Sequence, residues 1–283
     1  MAVGVEKEVH VGEAQAGDKQ ANSRGFDYTQ YEANSWACTF LKSGVNVLCD
    51  PWLTGDLVFG GQTWLYRGKK TAVRDLDVPS IGQSADLLVL SQGLPDHAHV
   101  PTLRQLPKEL PVVASPAAAR IAADLGFKRV YELDHGQEMV LADGRLRVKA
   151  TAGALVGPPW SKRENGFHFT ELVDGGISLY YEPHCDYDEG SLAGIERVDI
   201  VISPCVNQNL SAFPLVLGND NIERLCRRLR PRVLVPLTNA EFESEGPLSG
   251  AIRQGAQSQA ERMIAGLGWA AAQTTTAPGS KDG

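Results

Sequence analysis

The stretch "LLVLSQGLPDHAHVPTL" (87–103) places a carboxylate and two imidazoles, Asp96, His97 and His99, just past an unbroken apolar run. Oxygen and nitrogen donors grouped this tightly in a loop are ligand types for zinc, iron or manganese. A metal held there lowers the pKa of a bound water to about 7 and so supplies a nucleophile at neutral pH. The alternative is that Asp96 and His97 only cap the loop. The other histidines are scattered. His10 lies in a polar N-terminal stretch, His135 in the polar turn "LDHGQE", and His168 alternates with apolar residues in "GFHFTEL", as a half-buried strand position would. His184 stands in "LYYEPHCD" beside Cys185. As a thiolate Cys185 could ligate metal or be redox-active, but a cysteine without a partner fits an inert buried thiol. The five cysteines (Cys38, Cys49, Cys185, Cys205, Cys226) contain no CxxC pair. That spacing suits free thiols in a reducing compartment.

These side chains need strand ends to hold them. "WACTFL" (36–41), "VNVLC" (45–49) and "DLLVLS" (86–91) predict strands, the last covered on both faces because its apolar run is unbroken. "PVVAS" (111–115) leads into a helix with Ser115 as N-cap, Pro116 at its first position and Gly126 beyond its end. Strands follow at 128–133, 145–151, 167–173 and 176–182, the last two joined by the turn signal "DGG", and then at 199–203. A helix from Asp220, with Glu223 completing a capping box, buries Ile222, Leu225, Cys226 and Leu229. "RVLVP" (232–236) is a further strand, and a final helix presents Ala260, Met263, Ile264 and Leu267 on one face. Hairpin-rich strands followed by strands interleaved with helices imply a mixed-sheet α+β fold: two stacked sheets with helices outside.

The composition, 43% hydrophobic and 22% charged, is that of a globular protein, and no apolar run is long enough for a membrane span. Residues 1–26 lack periodicity and read as a disordered arm, and 270–283 as a disordered tail. Between them, 27–269 reads as one domain with no internal repeat. A net charge of −7 disfavours nucleic-acid binding. The basic cluster "ERLCRRLRPR" (223–232) fits a solvated helix face.

Five features stand in a fixed order: "VLCDPWL" with Asp50, "SQGLPDHAH", "TAGA" (151–154), "LYYEPHCD" (179–186) and "VLVPLTNAE" (233–241). This order resembles the metallo-β-lactamase fold, nearest its lactonase-like branch, over roughly residues 27–269. The resemblance implies a four-layer αββα sandwich. It also implies an HxHxDH loop after an apolar strand, with ligands for one or two metals. Here the two leading histidines of that motif fall on Gln92 and Leu94, whereas Asp96 and His97 match it. The family's next ligand falls near Ala154, its bridging aspartate on His184, and its closing histidine on Thr238 or Asn239. No histidine occurs between His135 and His168 or after His184, so the first metal site cannot be built from its usual positions.

What the resemblance leaves is a reduced single-metal site of Asp96, His97 and His184, with zinc, iron or manganese, or no ion at all. Thr238 would contribute weakly, and His99 would be a substitute ligand or a supporting group. Asp50 would orient the metal loop from beneath. The implied activity is hydrolysis of an ester, lactone or phosphoester. A non-catalytic binding or scaffold protein is the rival, and iron redox chemistry at a two-histidine, one-carboxylate centre a third reading. The aromatic loop 51–70 (Trp52, Phe59, Trp64, Tyr66), Trp160 with Lys162 and Arg163, and Asn207 with Phe213 suggest a cleft for a flat or apolar ligand of some anionic character. The small-molecule ligand or partner protein is unspecified. Similar sequences with "QGL" before "DHAH" occur in plants and cyanobacteria, implying a plastid stroma or cyanobacterial cytoplasm.

Overall fold

The structure is a computed structural model that describes residues 7–10, 25–71, 75–156, 160–211, 213–237, 242–255 and 270–271. Its first seven-stranded sheet runs in sequence order: β1 (Lys7–His10), β2 (Gly25–Glu32), β3 (Ser35–Phe40), β4 (Val45–Cys49), β5 (Leu87–Leu90), β6 (Val112–Ala114) and β7 (Val130–Glu132). The second does the same: β8 (Glu138–Leu141), β9 (Leu146–Ala152), β10 (Asn165–Glu171), β11 (Ser178–Tyr181), β12 (Ile200–Pro204), β13 (Val233–Leu237) and β14 (Ala270–Ala271). In each sheet the first four strands pair antiparallel and the last four are joined by parallel pairings. The two sheets thus repeat one topology although the sequence shows no repeat.

Period-two alternation sorts the layers. Trp36, Cys38 and Phe40 of β3, Leu87 and Val89 of β5, Ile200 and Ile202 of β12, and Val233 and Val235 of β13 fill the core between the sheets. The intervening residues face outward and are also covered. Leu88 and Leu90 pack beneath the helices α1 (Val78–Ser84), α2 (Val100–Gln105) and α3 (Pro116–Asp124). Val201 and Leu234 pack beneath α4 (Gly218–Leu229), which lays Ile222, Leu225, Cys226 and Leu229 on them. Burial on both faces explains the unbroken apolar runs of β5 and β12, and the chain is a four-layer αββα sandwich.

Several local expectations change. Lys7–His10, within the stretch expected to be an arm, is a strand paired with β2, and Ala270–Ala271 pairs with β13. The final helix expected around Ala260–Leu267 lies outside the described residues. Helix α4 begins at Gly218, not Asp220, and carries no side-chain cap bond, because the strand Phe213–Leu217 runs straight into it. Glu223 pairs instead with Arg227 one turn along. Ser115 does hold the cap position of α3, but without a side-chain cap bond.

Candidate metal centre

The site lies where parallel strands of both sheets end, as is usual for open α/β-type sheets. Beyond β4 the chain turns at Asp50, which adopts a left-handed φ of 42° and is fully buried. Beyond β5, Ser91 and Gln92 lead into a tight turn closed by the His97 and Ala98 N–H groups on the Leu94 carbonyl. From the other sheet, β11 ends at Tyr181, and Glu182 and His184 follow. Cys185, at φ 53°, turns the chain there, with its carbonyl held by Asn221 Nδ2 at 2.8 Å.

Asp50 gathers donors from both sheets. Its carboxylate accepts the Ser91 N–H at 2.7 Å, the Ser91 hydroxyl, the Tyr181 hydroxyl at 2.7 Å and His97 Nδ1 at 2.7 Å. This fixes the His97 ring and turns its Nε2 toward Asp96 Oδ2, 3.3 Å away, and Asn34 Nδ2, 3.1 Å away. Burial opposes a charge on His97, but the carboxylates of Asp96 and Asp50 outweigh it and lift the imidazole to about 10. Burial also works against the Asp96 carboxylate, yet the His97 charge and hydrogen bond hold it below the usual range. His184 is the opposite case: burial, with the His97 charge beside it, drives it down to about 3. Its ring lies 5.2 Å from that of His97, and its Nδ1 is 2.8 Å from Gln92 Nε2. Glu182 holds the loop, accepting the His184 and Asp186 N–H groups at 3.1 and 2.8 Å, and burial lifts its carboxyl to about 8.

Asp96, His97 and His184 each offer a ligand atom, and these atoms lie within 4.8 Å of one another. Tetrahedral ligands at about 2.1 Å from zinc are roughly 3.4 Å apart, so closing the widest separation by at most about 1.4 Å would seat one ion. Asp96 Oδ1 is buried without a hydrogen-bond partner, and Asp50 leaves His97 Nε2 facing the group. The three residues therefore fit one divalent ion. The other family positions do not: Gln92 bonds to His184, and Leu94 and Ala154 carry no donor. Thr238 and Asn239 lie outside the described residues.

His99 is not brought to this group. Its Nδ1 meets Thr102 Oγ1 at 2.9 Å and its Nε2 the Asp56 carbonyl at 3.2 Å, so both nitrogens are engaged at the start of α2. Burial lowers it to about 4.

A pocket opens over Asp96 and His184, enclosing about 750 Å³ including its mouth. Leu57, Phe59, Tyr66, Leu94, Phe213 and Phe242 are among its walls, with Asn34 and Gln208 as further polar groups and no Lys or Arg among the described lining residues. The aromatic loop thus lines the cleft, but through Phe59 and Tyr66. Trp52 is fully buried, its indole N–H donating to the Gly55 carbonyl and its ring against Phe242, so it supports the wall from behind. Trp64 and Trp160 are 66% and 85% exposed and are not among the described residues that line this pocket. Asn207 is replaced by its neighbour Gln208, since adjacent strand residues face opposite sides. Lys162 and Arg163 are bound to Asp134 and Asp186, which removes the expected anionic preference. Glu182, Asn34 and Tyr181 escaped the sequence reading. Only Glu182, two residues before His184, carried a local signal.

The sequence model described as a beta-lactamase superfamily domain matches residues 28–238, and the chain belongs to that superfamily. Solved structures share the fold at low identity. An isothiocyanate hydrolase from Delia radicum gut bacteria is 16% identical with a TM-score of 0.61, over 85% of this chain and 92% of that one. A possible metal-dependent hydrolase from Veillonella parvula is 16% identical with a TM-score of 0.60, at the same coverage. CmlA, a diiron β-hydroxylase from Streptomyces venezuelae, is 15% identical with a TM-score of 0.54, over 86% of this chain and 51% of that one. No curated protein sequence matches the chain.

Proposed function

We propose that the protein is a hydrolase that uses one divalent ion held by Asp96, His97 and His184. The observation that carries this reading is the convergence of those three side chains, from both sheets, with Asp96 and His184 open to an apolar pocket and His97 buried behind them. When bound, the ion supplies Lewis acidity and an activated water. The chain's own residues do the rest. Asp50 fixes the His97 ring, and the ion would replace a proton on its Nε2, so binding releases protons. The pocket walls position and desolvate an apolar group of the substrate, and the Asn34 amide can orient a carbonyl beside Asp96. The absence of Lys and Arg among the described lining residues favours a neutral ester or lactone over a phosphoester, whose charge calls for cationic partners. The superfamily membership and the hydrolases among its structural relatives support the reaction class.

A non-catalytic binding role is the second reading. It is favoured by Leu94 at a ligand position of the family and by the Asp96 carboxylate, which pairs with His97 Nε2 without an ion. Elemental analysis of protein purified without chelator separates the two. Near-stoichiometric zinc, iron or manganese, absent from His97→Ala and His184→Ala, together with turnover of neutral lactones or aryl esters, is expected. Folded wild-type protein that takes up no metal on add-back would sink the hydrolase reading and leave the binding one.

A further inference from the structure

The two imidazoles of the site are held by different kinds of partner. The Nδ1 of His97 faces Asp50, a carboxylate that only accepts, so this nitrogen keeps its proton and Nε2 is the ligand atom. The Nδ1 of His184 faces an amide, which donates through one end and accepts through the other. In the structure the amide nitrogen of Gln92 is the end that faces it. Nδ1 therefore accepts, and the single proton of the neutral ring sits on Nε2, where it blocks coordination. Rotating the amide by half a turn presents Oε1 instead. Nδ1–H then donates, and Nε2 has a free lone pair. The rotation breaks no bond of Oε1, which is buried with no hydrogen-bond partner among the described residues, and it leaves one end of the amide unpartnered before and after. The turn breaks one bond and remakes it with the roles reversed. The His184 backbone stays fixed throughout by Glu182 at 3.1 Å.

We propose that Gln92 is a positioning residue whose amide sets the tautomer of His184 and turns over when the ion binds. The position that carries a ligand elsewhere in the superfamily thus acts here through another ligand. This rests on the single-ion reading above, and it accounts for a glutamine being useful where a histidine is missing: it retains a hydrogen-bonding group that orients the remaining imidazole.

The test is ¹⁵N-resolved histidine NMR on the full chain, before and after one equivalent of Zn²⁺, beside zinc affinity by calorimetry. Wild type should show His184 as the Nε2–H tautomer without zinc and the Nδ1–H tautomer with it. Gln92→Glu, an acceptor only, should show Nδ1–H already without zinc and bind at least as tightly as wild type. Gln92→Leu should stay folded and bind zinc about 10–100-fold more weakly, the usual cost of losing such a partner. An unchanged tautomer on zinc binding, or Gln92→Leu binding as tightly as wild type, overturns the proposal. If wild type binds no zinc, the single-ion reading fails on its own. The metal-free comparison of wild type with Gln92→Glu then still decides whether Gln92 sets the tautomer.

Discussion

Asp50 shows how much one side chain can hold. It ties β4 to the turn after β5 and, through Tyr181, to the opposite sheet, while fixing the ring of a candidate ligand. Asp50 and Cys185 both sit at positive φ with side chains larger than glycine, a conformation that costs on the order of 1–3 kcal/mol and clusters at functional sites. Replacing Asp50 by alanine strands a buried His97, Ser91 and Tyr181 together. The expected loss is about 3–5 kcal/mol, the range for breaking a buried ion pair from one side. Tyr181→Phe removes one neutral donor and should cost about 1 kcal/mol. Urea midpoints at pH 7 with unchanged slopes measure both, and equal losses for the two variants would refute this ranking.

At the scale of elements, the sequence was most informative where one local rule acted alone. The apolar run of β5 announced a strand buried on both faces, those of β12 and β13 announced strands, and "DGG" announced the β10–β11 hairpin. That Asp96, His97 and His184 come together was legible because the resemblance set all three at strand ends. The rest was settled by contacts distant in sequence. Nothing near Trp52 indicates that Phe242 covers it, and nothing near His99 reveals the Asp56 carbonyl. The start of α4 is a third case. A side chain on Gly218 would lie 2.6 Å from the carbonyl oxygens of Pro204 and Val206, so the helix docks there and needs no cap at Asp220. Gly218→Ala should therefore cost roughly 1–3 kcal/mol through overpacking against backbone, whereas Asp220→Ala should stay within about 0.5 kcal/mol. Thermal midpoints decide, and a larger loss for Asp220→Ala would restore the capping box.

For the whole molecule, the repeated sheet topology puts both sets of parallel strand ends at one edge, and it also buries ionisable groups in several layers. His99 at the start of α2, His168 on β10 and His184 at the site are all pushed down by burial, to about 4, 4 and 3. Lys149 and Arg147 add to the effect on His168. A histidine with a depressed folded-state pKa contributes stability that is present above its unfolded value, about 6.5. That stability is lost as pH falls toward the folded value, because the unfolded chain binds the proton first. His97 has the opposite sign. Raised to about 10, it stabilises the fold below the unfolded value, and that contribution fades as pH climbs through 10. His97 titrates above that window, and within it only the raised carboxyl of Glu182 works the other way among these groups, its contribution growing as pH falls from about 8. Three histidines against that one carboxyl predict that the metal-free protein loses stability between about pH 6.5 and 4. The steepness should fall when one of the three is removed far from the site. His168→Gln is the suitable variant, since His168 Nε2 has no hydrogen-bond partner among the described residues and no ligand role. Urea midpoints at pH 7 and 5 should converge in His168→Gln relative to wild type, and an unchanged pH dependence would show that His168 titrates alike in the folded and unfolded chain.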